Sequence, residues 1–208
     1  MTEFFHSSAF DWDKHLFQAI NSHNTPFWDK VMWVITSIPF ALAVTLLFSA
    51  LTIYLYRKQS WKILLLIAII TLLADAIGAR AIKPTACRLR PSHDSEYFED
   101  YQVHLYQRND GTYYYGGKYS FPSNHAINYM ITSILFFYFL GPKLKYRWWL
   151  FLLMLCIVLS TSYSRIYFGV HYPFDILCGW LIATLLAGIV IWSFKMYKKR
   201  HQDVIVRW

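Results

Sequence analysis

Three short polar stretches stand among long apolar runs: KPTACRLRP (Lys83–Pro91), PSNH (Pro122–His125) and SRIYFGVHYPFD (Ser164–Asp175). Between them they carry three cations (Lys83, Arg90, Arg165), two histidines (His125, His171), a carboxylate (Asp175) and a serine (Ser123) followed by Asn124. Cations beside a helix N-terminus suit a compact, highly charged anion such as phosphate. A guanidinium donates to two oxygens at once, and the free amides of a first helical turn point at the anion. Two histidines and a carboxylate supply a nucleophile, a partner to orient it and a second acid, the parts of covalent phosphoryl transfer without a metal. Metal-assisted hydrolysis needs more carboxylates or a histidine pair at ligand spacing, and neither is found, so no metal and no cofactor is expected.

Each feature also has a plainer reading. Lys83 and Arg90 could anchor a span end by snorkelling. Ser123 could only cap a helix, and Asp175 could only complement a helix dipole. A non-catalytic lipid or anion transporter would use the cations alone. The histidines and Asp175 separate the two classes, since a binder needs no nucleophile.

The elements that must bring these residues together are membrane helices. The chain has 208 residues, 56% of them hydrophobic and only 15% charged, against about 25% charged in a soluble domain. Five runs approach the ~20 apolar residues that cross a bilayer: Val31–Tyr56, Trp61–Ile82, His125–Leu140, Trp148–Tyr167 and Phe174–Tyr197. Unpaired backbone is excluded from lipid and the alternation of barrel strands is missing, so the runs are helices. The expected fold is all-α: a polytopic membrane bundle of about five spanning helices plus an N-terminal interfacial helix. In that helix Phe10, Leu16, Phe17 and Ile20 form an apolar face, and Pro26 breaks it before the first span.

The net charge of +8 does not point to nucleic acid, because the basic residues flank the apolar runs. Arg57, Lys58 and Lys62, then Lys143, Lys145 and Arg147, then Lys195, Lys198, Lys199 and Arg200 fall on one side if five spans alternate. That side is expected to be the cytoplasm. All three polar stretches then meet on the outer face, although the topology made no use of them. The expected division is an interfacial segment at 1–30, a membrane domain at 31–200 with an outer loop at 83–122, and a cytoplasmic tail at 201–208. The first 30 residues lack a basic start and an unbroken apolar core, so no removable signal peptide is expected. Cys87, Cys156 and Cys178 are too scattered for a disulfide framework or a zinc site.

These residues resemble the type 2 phosphatidic acid phosphatases, membrane lipid phosphatases whose core is shared with vanadium haloperoxidases. Lys83, Arg90 and Pro91 are similar to the family's K-x6-R-P. Pro122-Ser123-Asn124-His125 is similar to P-S-G-H, with asparagine for glycine. Ser164, Arg165, His171 and Asp175 are similar to S-R-x5-H-x3-D. The resemblance covers about residues 61–197. It implies a phosphorylated membrane lipid as substrate, with His171 as nucleophile and Asp175 holding its other ring nitrogen. It further implies His125 as acid and then base, and Lys83, Arg90, Arg165 and Ser123 on the phosphoryl oxygens. The wider context GGKYSFPSNHA and VHLYQR is similar to small bacterial members described as undecaprenyl-diphosphate phosphatases, which implies that substrate. Lipid A phosphate, phosphatidylglycerol phosphate and phosphatidic acid stay open as alternatives.

Three points lie outside the motifs. The tyrosine-rich loop Ser92–Tyr119 is either a lid at the interface or a solvated loop with a hairpin at Asn109-Asp110-Gly111. For Asp75 and Arg80, inside the second span, the plain reading is a pair that only holds helices together, and their role stays open. Asn124 offers an amide to the headgroup where the family has glycine.

Overall fold

The structure, a computed structural model, describes residues 2–200, so the expected tail at 201–208 lies outside the described residues. Its helices are α1 (Thr2–Phe5), α2 (Asp11–Asn21), α3 (Pro26–Thr36), α4 (Ile38–Tyr56), α5 (Ser60–Ala76), α6 (Lys83–Ala86), α7 (Asn124–Leu140), α8 (Arg147–Tyr167) and α9 (Pro173–Arg200). A π-helical stretch, Ile77–Ile82, joins α5 to α6. No strand forms among the described residues; Leu89 with Tyr119 and Gln107 with Tyr113 make isolated bridges only.

Among the described residues, three stretches are long and apolar enough to cross a membrane: Ile38–Ala86, Arg147–Tyr167 and Pro173–Arg200. The first holds two spans, α4 and α5, which fold back on each other at Arg57–Gln59. The fifth member of the bundle, α7, has 17 residues, about 26 Å at 1.5 Å per residue. It is the central helix: Ile127, Ile131 and Leu135 are fully buried and pack with Ile67 of α5, Met154 of α8 and Ala183 of α9. Gly179, Ala183 and Ala187 recur every fourth residue on α9, and each is buried. A side chain on Gly179 would put its Cβ 3.0 Å from both Ala126 Cβ and the Ser123 carbonyl. Small residues thus let α9 approach the start of α7, as they do between membrane helices generally.

Two expectations need correction. The run Val31–Tyr56 is not one span. Ser37 is extended (φ −76°, ψ 155°) and its hydroxyl accepts from the Phe40 N–H, so α4 begins at Ile38. Pro39 forces the break, since its ring removes an N–H and excludes a preceding helical turn. Pro26 does not merely end the N-terminal helix. It opens α3 at the first helical position, behind the Thr25 cap, where its missing N–H costs nothing.

The N-terminal helix α2 is amphipathic, but the face it buries is not a purely lipid-facing one. Asp13, Phe17 and Asn21 share one side at i, i+4 and i+8, and all three are completely buried. Phe17 packs on Phe98 and Tyr172, while Leu16 stays exposed. The helix docks on the bundle at α8 and α9.

Candidate active site

His171 sits in the tight connection between α8 and α9. Gly169 turns the chain with φ +66°, and a Cβ there would lie 2.5 Å from Val103 Cγ1, so only glycine suits the turn. The N–H groups of Val170 and His171 both donate to the Arg165 carbonyl, at 3.1 and 3.2 Å. This fixes His171 over the end of α8, 1% exposed.

Asp175 occupies the first turn of α9 and is completely buried. Its Oδ2 accepts from the Tyr172 N–H at 2.9 Å and lies 3.5 Å from His171 Nδ1. That separation brings carboxylate and imidazole together but exceeds a formed hydrogen bond; such contacts commonly tighten once substrate binds. The other oxygen, Oδ1, accepts from Arg88 Nη1 at 2.8 Å.

The expected cations converge on the same histidine. Lys83 Nζ donates to the carbonyls of Tyr119 and Ser120, at 3.3 and 3.1 Å. Arg90 Nε donates to the Tyr119 carbonyl at 3.1 Å, and its Nη1 is buried with no protein partner. Arg165, 2% exposed, donates from Nη1 to Thr36 Oγ1 (2.6 Å) and from Nη2 to Tyr114 Oη (2.9 Å), leaving Nε without a protein partner. Burial and the neighbouring Arg165 bring Arg90 down to about 10, so it stays charged at pH 7. Burial, followed by the charges of Arg90, Lys83 and Arg165, holds His171 well below 6.5. The nucleophile implied by the motif is therefore neutral at pH 7.

Ser123 caps α7: its hydroxyl accepts from the Ala126 N–H at 3.4 Å, and its own N–H donates to the Asp175 carbonyl at 3.2 Å. This joins the starts of α7 and α9, and leaves the first amides of α7 without intrahelical acceptors. His125, one residue into the helix, is close enough to feel Arg165, Arg90 and Lys83. It lines a cavity of about 230 Å³ between α4, α5 and α7 with Phe48, Thr71 and Phe136.

Two readings fail here. The Asn124 side chain does not face the phosphate site: its Nδ2 donates to the backbone carbonyl and to Oδ1 of Asp75, both at 2.9 Å. Asp75 in turn accepts from Asn128 at 2.8 Å, so its partners on α7 are amides; no Asp75–Arg80 ion pair forms among the described residues. The Ser92–Tyr119 loop is solvated at its tip, where residues 107–113 are exposed, as the hairpin reading expects. The tip turns tightly at Gly111, with Arg108 N–H donating to the Thr112 carbonyl at 2.8 Å. Its body is tied down, with Tyr106 stacked on Trp33 and Tyr114 Oη accepting from Arg165 Nη2.

The motifs did not reveal Thr36, Tyr114 or the role of Arg88. Arg88 stood inside the first stretch but was not separated from its neighbours. Among the described residues no cluster of three His, Cys, Asp or Glu side chains is arranged to hold a metal.

A sequence profile of the PAP2 superfamily matches residues 61–199. The chain belongs to the PAP2 superfamily. It is a multi-pass membrane phosphatase acting on phosphorylated lipid. It is 30% identical over 198 residues to a "Lipid A 4'-phosphatase" of Porphyromonas gingivalis, covering 90% of this chain and 74% of that protein. It is 35% identical to an "Undecaprenyl-diphosphatase" of Sulfolobus acidocaldarius, but over 73 residues, 35% of this chain and 32% of that one. Its fold matches the crystal structure of a transmembrane PAP2 type phosphatidylglycerolphosphate phosphatase from Bacillus subtilis with TM-score 0.65 and 23% identity, over 96% of this chain and 92% of the other.

Proposed function

We propose that this PAP2 phosphatase removes a phosphate monoester from a lipid A-type glycolipid, through a phosphohistidine on His171. The observation that carries the chemistry is a neutral, buried His171 with Asp175 behind one ring nitrogen and Arg90, Lys83, Arg165 and His125 around it. The other ring nitrogen attacks phosphorus while the lipid alkoxide leaves. Asp175 stabilises the ring as it becomes positive. His125, protonated once the substrate's phosphate dianion offsets the neighbouring cations, gives that proton to the leaving oxygen, then takes one from water as that water attacks the phosphohistidine and releases phosphate. The cations, with Ser123 and the α7 amides, hold the equatorial oxygens. Asn124 contributes its backbone there, not its side chain.

The substrate class rests on the reach of the likeness. A similarity that covers 90% of this chain reaches well beyond the three motifs, into segments able to select a lipid. Similarity to the archaeal undecaprenyl-diphosphatase spans only 73 residues, enough for the phosphate chemistry alone. The lean of the sequence context toward undecaprenyl diphosphate therefore gives way, and that lipid becomes the second reading. The site faces the periplasm on this proposal: Lys62, Lys143 and Lys198 line one cavity at the far ends of the helices that carry the site, as a cytoplasmic face requires.

Phosphate release by purified protein is to be compared across lipid A, undecaprenyl diphosphate, phosphatidylglycerol phosphate and phosphatidate, with His171→Ala and His125→Ala beside the wild type. The expected result is preference for lipid A, loss of turnover in both variants and survival of activity in EDTA. Near wild-type release by His171→Ala sinks the nucleophile; preference for undecaprenyl diphosphate sinks the substrate. A reporter fused to Trp208 tests the orientation.

A further inference from the structure

The catalytic carboxylate has a second layer of support that comes from the N-terminal helix. Asp13 on α2 is completely buried, as is Asp175, and Arg88 between them is 2% exposed. Arg88 Nη2 donates to Asp13 Oδ2 at 2.6 Å and Nη1 donates to Asp175 Oδ1 at 2.8 Å. The guanidinium lies 3.8 Å from the Tyr172 ring centroid and 4.7 Å from that of Phe5. The second oxygen of Asp13 accepts from the Phe174 N–H at 2.7 Å, one residue before Asp175. One aspartate of α2 therefore grips both the arginine that holds Asp175 and the backbone that carries it.

We propose that Asp13 is a positioning residue for phosphoryl transfer, acting through Arg88 to fix which oxygen of Asp175 faces His171. The inference rests on the reading of His171 as nucleophile. A guanidinium beside a single carboxylate favours a two-pronged grip on both of its oxygens. Here that grip would draw Oδ2 away from Tyr172 N–H and His171 Nδ1. By occupying the other side of the fork, Asp13 limits Arg88 to one oxygen of Asp175 and leaves Oδ2 for the histidine. Burial works against the charge on Arg88, but Asp175 and Asp13 together outweigh it and raise its pKa, so Arg88 stays a cation; burial pushes the Asp13 carboxyl up, against the pull of Arg88. The PAP2 motifs alone would leave this arginine buried against one carboxylate; in this chain, α2 completes the site.

The test uses the full-length protein in detergent with p-nitrophenyl phosphate, a probe that needs only the phosphate site. Asp13→Asn keeps an acceptor for the Phe174 N–H but removes the charge that holds Arg88. It is expected to lower kcat by about 10- to 100-fold, the scale of a displacement of about 1 Å in a catalytic group, with KM within about twofold of wild type by the same reasoning. Asp13→Glu, which restores the charge, should recover part of kcat. Arg88→Lys, which cannot fork, should show the same loss, and the double variant should be no slower than either single one. If Asp13→Asn cannot be purified folded, Arg88→Lys and Asp13→Glu carry the comparison. Wild-type kcat in Asp13→Asn or Arg88→Lys, equal loss in Asp13→Glu and Asp13→Asn, or additive losses in the double variant would each overturn the proposal. His171→Ala in the same assay separates the two failures: turnover there removes the nucleophile reading, whereas a dead His171→Ala beside a fully active Asp13→Asn removes only the role of Asp13.

Discussion

Asn124→Gly should weaken the fold and leave the choice of lipid unchanged. The asparagine amide donates twice to Asp75, once to its carbonyl and once to its carboxylate, each at 2.9 Å. In a soluble protein, losing one neutral and one charge-assisted bond costs about 2–4 kcal/mol. Between membrane helices the measured cost per bond averages about 0.6 kcal/mol and reaches about 1.7, because a helix released into lipid finds other partners. Asp75 also keeps its bond from Asn128. A loss of about 1–3 kcal/mol follows, or roughly 2–12 °C in melting temperature for a chain of this size. A second substitution tests the geometry itself. A Cβ on Gly78 would stand 2.8 Å from Asn124 Oδ1 and 3.1 Å from Ile127 Cδ1. Gly78→Ala should therefore destabilise the wild type by pushing Asn124 off Asp75, yet be nearly neutral in the Asn124→Gly background. The expected coupling is about 1–2 kcal/mol, well above the error of additivity for independent sites. Thermal unfolding in detergent and the ratios of kcat/KM over the lipid panel give the two readouts. Additive melting shifts, or lipid ratios that move while the melting temperature stays, would refute the orientation of Asn124 toward Asp75.

Arg165→Lys should reduce turnover by about 10²–10³-fold, as removal of one well-aimed donor to a developing charge does, because a lysine cannot span Thr36 and Tyr114 as the fork of Arg165 does; an unchanged helical signal in circular dichroism would show that the fold persists. His171, neutral in the folded protein and titrating near 6.5 when unfolded, favours the folded state above 6.5. That contribution is lost as the pH falls below 6.5, where only the unfolded chain takes up the proton. The melting temperature of His171→Asn should accordingly fall less between pH 7 and 5 than that of wild type, and equal falls would contradict a buried neutral ring. Gly179→Ala places a methyl 3.0 Å from Ala126 Cβ and the Ser123 carbonyl. It should cost about 1–3 kcal/mol by overpacking and slow turnover, since it separates the helix bearing Asp175 from the one bearing His125; full activity at unchanged stability would show that α7 and α9 need no such contact.

Much of the site was legible because its chemistry is written at short range. His171 and Asp175 are four residues apart, Lys83 and Arg90 seven, and each set arrives at one end of a span, so apolar run lengths alone bring them to one face. The break at Ser37 was legible too, through Pro39, but the long apolar run masked it. What could not be read is pairing between distant segments. Asp13 and Arg88 are 75 residues apart, and Arg165 and Thr36 are 129 apart. In α2 the signal was present but ambiguous: Asp13 and Asn21 share a face with Phe17, and those two read as solvated polar positions until Arg88 is known to meet the first and the Tyr167 carbonyl the second. Asn124 misled for the same reason, since a polar side chain beside a catalytic histidine has no direction in sequence until Asp75 supplies one.

The partners of the cations, buried at Arg88, Arg90 and Arg165 and half-buried at Lys83, divide them by function. Arg88 is held by two carboxylates, which compensate its charge, and only its Nε is left without a protein partner. Arg90, Lys83 and Arg165 appear in none of the ion pairs among the described residues and receive only carbonyl and hydroxyl oxygens. Cations taken out of water without a counter-ion cost several kcal/mol each, and the lowered pKa of Arg90 records part of that cost. On the proposed function, a phosphate dianion supplies that compensation to all three at once, most of all as charge spreads over the oxygens in the transition state. A nearby carboxylate free to move would quench this by pairing with them first. Asp175 is the one that His171 requires, and its bond to Arg88 is what keeps that carboxylate from becoming the counter-ion of the phosphate site. The same arginine that looks redundant in the motif thus lets an acidic residue and an anion-binding cluster share one buried pocket.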